Sequence, residues 1–130
     1  MQEPAEPLTC HVGVGLSDAA DAAELIALVE QALRAAGRPA VFSIGTIAAR
    51  REHPAIGALA LHFGLAVVGF SAVVLEAQTP RLLNPSDAVF ARTGCHGVAE
   101  AAALASAGPA GRLVVGKLRS ARATVAVAVD

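Results

Sequence analysis

The chain has 130 residues, a formal net charge of −1, 55% hydrophobic residues and only 3% aromatic ones, with neither Trp nor Tyr. That length fits one domain able to bury a proper core. Near-neutral charge without stacking aromatics excludes broad nucleic-acid binding, and two cysteines, Cys10 and Cys95, are too few for a disulfide framework.

Residues 1–8 hold Pro4, Pro7 and two glutamates and read as a flexible tail. No signal peptide is recognised, so a reducing cytoplasm is the expected setting. Cys10 to Leu16 reads as a first strand, in which Gly13 and Gly15 suggest close backbone approach. Ser17 and Asp18 are candidate N-caps for the helix that follows. Leu25, Leu28, Val29, Ala32 and Leu33 recur at helical spacing, and Gly37 with Pro39 ends that helix. Gly13-Val14-Gly15 lacks the third glycine of a dinucleotide fingerprint, because position 18 is Asp. No nicotinamide, flavin or other cofactor is expected.

Ala40 to Ile44 predicts a second strand. Gly45 and Thr46 then lead past Arg50 and Arg51 into a helix over Glu52 to Phe63. Cations at a helix start are unfavourable, which asks for an acidic ligand or for Glu52 as partner, while the plain reading is a solvated surface pair. His53 reads as a surface residue and His62 as a satisfied core or edge histidine. Ala55 to Ala77 is apolar and long enough to span a bilayer. It divides instead at Gly64, a helix stop, and no membrane span is expected. Leu65 to Phe70 is then a strand without alternation, which predicts cover on both faces.

Ser71 to Glu76 predicts a short helix capped by Ser71. Residues 78–85 read as a lid or a surface loop. Ser86 and Asp87 open a turn towards Val89 and Phe90. Thr93-Gly94-Cys95-His96-Gly97 is a loop of special residues feeding an alanine helix from Val98, with Glu100 in its first turn. Free N–H groups at that helix start can hold an anion. Gly108 to Gly111 stops the helix. Leu113 to Leu118 and Thr124 to Val129 predict two strands joined by a tight turn at Arg119–Arg122, and hence antiparallel.

The alternation of strands and helices predicts one α/β domain over residues 9–130: a mostly parallel sheet, helices on both faces, and an antiparallel C-terminal hairpin. Ligands of such sheets bind beyond the carboxyl ends of the strands. That rule gathers Gly15, Ser17, Gly45, Thr46, Ser71, Thr93, Gly94, Cys95, His96, Gly97 and Lys117 on one rim. The histidines and cysteines lack metal-ligand spacing, and no metal is expected. Catalysis, if any, would fall to Cys95 as nucleophile, His96 or His11 as base and Glu100 as acid or orienter. Neighbours such as Cys95 and His96 point apart, so that pair is poor in itself. The apolar richness also admits a homo-oligomer.

With these residues in place, the chain resembles the cobalamin-biosynthesis family of CobE and the C-terminal domain of CbiG. The likeness covers nearly everything after the tail. It rests on Val12-Gly13-Val14-Gly15, on Thr46-Ile47-Ala48 with the basic residues and Glu52 after it, and on Leu65 to Ser71. Its most specific piece is Thr93-Gly94 with Gly97-Val98-Ala99-Glu100-Ala101-Ala102-Ala103-Leu104. Gly116-Lys117 and Thr124 to Ala128 complete it. The short form resembles stand-alone CobE of the aerobic pathway. Family members often carry Gly-Cys-Arg where this chain has Gly15-Leu16-Ser17, so an activity that needs that Cys or Arg does not carry over.

The resemblance implies a role in building the corrin ring. Binding or carrying a precorrin-type tetrapyrrole is the first expectation, alongside other cobalamin-biosynthesis enzymes. The alternative is CbiG-like hydrolase or lyase action on a ring lactone. Such macrocycles are apolar and fringed with carboxylates, which suits a small-residue cleft with hydroxyls, helix N-termini and basic groups at its rim.

Overall fold

The computed structural model describes residues 9–130. The expected tail over 1–8 lies outside the described residues. In chain order the elements are β1 (Thr9–Leu16), α1 (Ala22–Ala35), β2 (Ala40–Ile47), α2 (Pro54–Phe63), β3 (Val67–Phe70) and α3 (Ala72–Glu76). Then come α4 (Asp87–Thr93), α5 (Val98–Ala107), β4 (Arg112–Arg119) and β5 (Ala123–Val129). Single 3-10 turns cover Ala48–Arg50 and Thr79–Arg81.

The five strands form one sheet in the order β3-β2-β1-β5-β4. β1 pairs with β2 and β2 with β3 in parallel, while β1–β5 and β4–β5 are antiparallel. The sheet is α/β as expected but evenly mixed. The hairpin adds to the free margin of the three parallel strands, with β5 beside β1, which leaves β1 central and β4 at the edge. β3 is an edge strand, and Val68 on it is 47% exposed. Its unbroken apolar run therefore does not mean cover on both faces, which corrects that expectation.

Strand periodicity divides the core between the faces. Cys10, Val12, Val14, Ile44, Val125 and Val127 pack with the stripe of α1 and with Ile56 and Leu59 of α2. Ala126 and Ala128 face the other way, onto Ala99, Ala103 and Leu104 of α5. Gly13 also faces α5. A Cβ there would lie 1.9 Å from the Ala99 carbonyl oxygen and 2.5 Å from the Ala103 nitrogen. Backbone rests on backbone, which explains both the glycine and the alanine-rich helix.

Helix ends follow local chemistry, with two corrections. Asp21 caps α1 by accepting the Glu24 N–H at 2.8 Å, so neither Ser17 nor Asp18 is the cap. His53 is not an idle surface residue: its Nδ1 accepts the Ala55 N–H at 3.0 Å and caps α2, with Pro54 in the first turn. Gly64 at φ 65° ends α2, and among the described residues no helix is long and apolar enough to cross a membrane. His62 reaches Glu30 of α1 at 3.0 Å.

Candidate functional site

A cleft of about 350 Å³ opens past the carboxyl ends of β1 and β2, between the start of α5, α4 and the β4–β5 turn. Ile47, Val89 and Val98 supply apolar lining. Around them stand Arg50, Arg92, Lys117, Arg119 and Arg122, and among the described residues no Asp or Glu lines the cleft. Half of the chain's ten Lys and Arg therefore gather at one place, in a molecule of net charge −1.

The cations are placed by several devices. Arg50 ends the 3-10 turn after β2 and pairs with Asp18. Its partner is not Glu52, the one the sequence offered. Lys117 and Arg119 depend on a bulge. β4 uses three steps from Val115 to Leu118 where β5 uses two from Val127 to Val125. The extra residue keeps Val115 and Leu118 against the α1–α2 core and turns Lys117 and Arg119 towards the cleft. The β4–β5 turn is then tied down: Glu24 accepts from the Ser120 hydroxyl and from the Arg122 N–H, the latter at 2.7 Å. The Ser17 N–H donates to the Arg122 carbonyl at 2.9 Å. Arg92 projects from α4. Among the described residues, Arg92, Lys117 and Arg119 make no ion pair.

The wall opposite the turn is the start of α5. Gly97 is its N-cap, and among the described residues no side chain caps the first-turn N–H groups. Gly97 and Val98 both line the cleft. A helix N-terminus and unpaired arginines share one preference, for an anion that accepts several hydrogen bonds. Guanidinium forks match carboxylates two oxygens at a time.

Of the eleven rim residues expected from the sequence, Gly15, Ser17, Thr93, Gly97 and Lys117 line the cleft. The others serve elsewhere. Thr46 is fully buried and donates to the Val14 carbonyl at 2.8 Å. Gly45 makes room for Phe70 and Ser106. Ser71 caps α3 through the Val74 N–H. Gly94, at φ 82°, terminates α4.

The catalytic candidates do not assemble. Cys95 is fully buried in the core beside Leu75, Ala101 and Ala102, with its sulfur 3.4 Å from the Thr93 hydroxyl. His96 turns away from Cys95. Its Nδ1 lies 2.9 Å from both oxygens of Glu76, and its Nε2 is 3.4 Å from Asp87. Hydrogen bonds from Thr79 and then His96 hold the Glu76 carboxyl below the usual carboxylate range. Glu100 is 1% exposed. It accepts the backbone N–H groups of Leu83, Asn84 and Lys117 and the Asn84 side-chain amide, all within 3.1 Å. It is a buried bracket, not an acid facing a ligand. The same contacts anchor the end of the 78–85 segment. Arg81 anchors its start through the Gly108 and Gly111 carbonyls, at 3.1 and 3.0 Å. That segment is a strap tied to α5, not a lid.

His11 sits at the other end of β1. Its Nδ1 is 2.7 Å from the Ser43 hydroxyl and its Nε2 is 3.5 Å from Asp130. It is no base for Cys95. Among the described residues, no three His, Cys, Asp or Glu side chains are grouped to hold a metal ion.

Cleft and fold together define a small α/β protein with an arginine-rimmed, apolar-lined pocket, suited to a polyanion with an apolar body. The sequence pattern of the cobalamin synthesis G C-terminus matches residues 10–128. The chain belongs to that family and is a cobalamin-biosynthesis protein of the CobE type. It is 48% identical over 119 residues to Protein CobE of Sinorhizobium sp., covering 90% of this chain and 77% of that protein. Its fold superposes on the crystal structure of a CobE from the cobalamin (vitamin B12) pathway with a TM-score of 0.87 at 34% identity, over 100% of this chain and 95% of that one. Cobalamin biosynthesis protein chiG from Agrobacterium tumefaciens str. C58 gives a TM-score of 0.70 at 29% identity, over 92% of this chain and 97% of that one.

Proposed function

We propose that the cleft binds a precorrin- or corrin-type intermediate by its carboxylate fringe and carries it between cobalamin-biosynthesis enzymes of the cytoplasm, without turning it over. The observation that carries this reading is the convergence of five cationic side chains on a cleft with apolar lining and, among the described residues, no acidic one. Family membership supplies the pathway, and the pathway's intermediates have this chemistry. The volume is too small to enclose a whole macrocycle, so one carboxylate-bearing edge enters and the ring extends outwards. A carrier needs that arrangement, because the next enzyme must reach the ring.

Ring-lactone hydrolysis is less well supported. It needs a nucleophile open to the ligand, whereas Cys95 is sealed in the core and His96 is engaged by two carboxylates. Titration with hydrogenobyrinic acid and with uroporphyrin tests the binding reading. A shifted visible spectrum is expected. Binding should weaken about tenfold in Arg92→Ala or Arg119→Ala, and with rising salt. Loss of the reading follows if the native protein leaves both spectra unchanged at low salt.

A further inference from the structure

The walls of the cleft are not held equally. β1, β2 and α5 belong to the core, and the β4–β5 turn is tied by Glu24 and Ser17. By contrast, no residue of the seven-residue α4 is fully buried. Val89 reaches the core from its inner side. Pro85 precedes the helix, and Gly94, in the left-handed region at φ 82°, follows it. Few buried contacts between two such joints describe a segment that opens locally at low cost.

One residue, His96, holds this helix by two side-chain contacts and its N-cap by a backbone one. Its ring stacks on Phe90 with centroids 4.5 Å apart and planes 22° from parallel. Its Nε2 faces Asp87 at 3.4 Å, and its carbonyl accepts the Ser86 N–H at 2.8 Å. His96 is itself moored to α3, since Glu76 holds both its Nδ1 and its backbone N–H, at 2.9 and 3.0 Å. Thr79 fixes Glu76 in turn, at 2.6 Å. The chain of contacts runs Thr79–Glu76–His96–Phe90, from the strap to the helix that carries Arg92 and Thr93 into the cleft.

We propose that α4 is a movable wall of the cleft, latched by His96, that closes Arg92 and Thr93 onto the ligand. This rests on the binding reading above and adds its regulation. His96 is a positioning residue here: it never touches ligand, but it sets where the α4 guanidinium stands. Ligand carboxylates on Arg92 hold the wall shut, and release requires α4 to swing about Gly94.

Hydrogen exchange tests the latch in the free protein and the closure in the bound one. In His96→Ala, amides of residues 87–94 should exchange about tenfold faster, with α5 and β1 unchanged. Phe90→Ala removes the stack from an exposed position and should show the same confined effect. Exchange unaltered at α4 in both variants, or raised equally across α5 and β1, overturns the latch. In native protein, uroporphyrin should slow exchange at both α4 and the β4–β5 turn. Protection of the turn alone keeps the binding reading and overturns the movable wall. Absence of binding removes the proposed function and the closure together, while the free-protein measurement still decides the latch.

Discussion

Glu100 Oε2 accepts the backbone N–H of Lys117 at 2.9 Å, from inside the first turn of α5. One carboxylate thus holds the edge strand that presents Lys117 and Arg119, and its other contacts hold Leu83 and Asn84. Glu100→Ala would strand three backbone N–H groups at a site where the carboxylate is buried. The expected cost is roughly 3–5 kcal/mol, with Glu100→Gln costing less. Urea denaturation measures it. Binding by the folded fraction should weaken without vanishing. Abolished binding at undiminished stability would instead make Glu100 a ligand contact.

Gly13 and Gly57 separate two meanings of glycine. Gly13→Ala puts a methyl into the Ala99 carbonyl, where neither strand nor helix backbone can yield cheaply. About 3 kcal/mol or more of stability should be lost. Gly57 lies in α2, and a Cβ there would meet nothing within 4 Å, so Gly57→Ala should gain about 0.5–1 kcal/mol through helix propensity. Thermal melts of both variants check the signs.

Much of this was legible because it is periodic or local. All five stripe residues of α1 are buried, Gly64 stops α2, and the Arg119–Arg122 turn joins antiparallel strands. The close approach at Gly13 was legible from Val12-Gly13-Val14-Gly15. The cleft was half legible. Position beyond the strand ends found Gly15, Ser17 and Lys117, but Arg92 and Arg119 were missed. α4 buries no stripe, so it leaves no period, and the sequence showed only a turn at Ser86 and Asp87 where the helix begins. The β4 bulge breaks the alternation that would have pointed Arg119 inwards. Glu100 finds its partners 16 and 17 residues away, at a range no local pattern reaches.

The pH limits of stability follow from two groups. Burial pushes the Cys10 thiol up from 9.0 to about 11. The folded state thus favours the neutral thiol. Its stabilisation is fully present below about pH 9 and is lost as pH rises towards 11, by about 2–3 kcal/mol. Cys10→Ala should flatten that alkaline limb. Glu76 acts in the opposite sense. Its carboxyl is held low by Thr79 and His96, so its contribution is present above the ordinary value of 4.5 and fades as pH falls below it. Thr79→Ala should remove part of the acid limb and leave the alkaline one unchanged. Denaturation midpoints from pH 3 to 11 in native and variant proteins read both limbs.

Asp18 is the cleft's own competitor. It is 91% exposed at its side chain, yet it pairs with Arg50, and its carbonyl lies 2.9 Å from His53 Nε2. A ligand carboxylate that reaches Arg50 must displace it. An exposed pair is worth about 0.2–1 kcal/mol, so Asp18→Asn should tighten uroporphyrin binding by roughly 1.5- to 5-fold. Arg50→Ala should weaken binding, and Asp18→Asn should then add nothing, because the two act through one contact. The gain from Asp18→Asn should shrink at about 0.5 M salt, where exposed charges are screened. Weaker binding in Asp18→Asn would mean that Asp18 holds Arg50 in place for the ligand and does not compete with it.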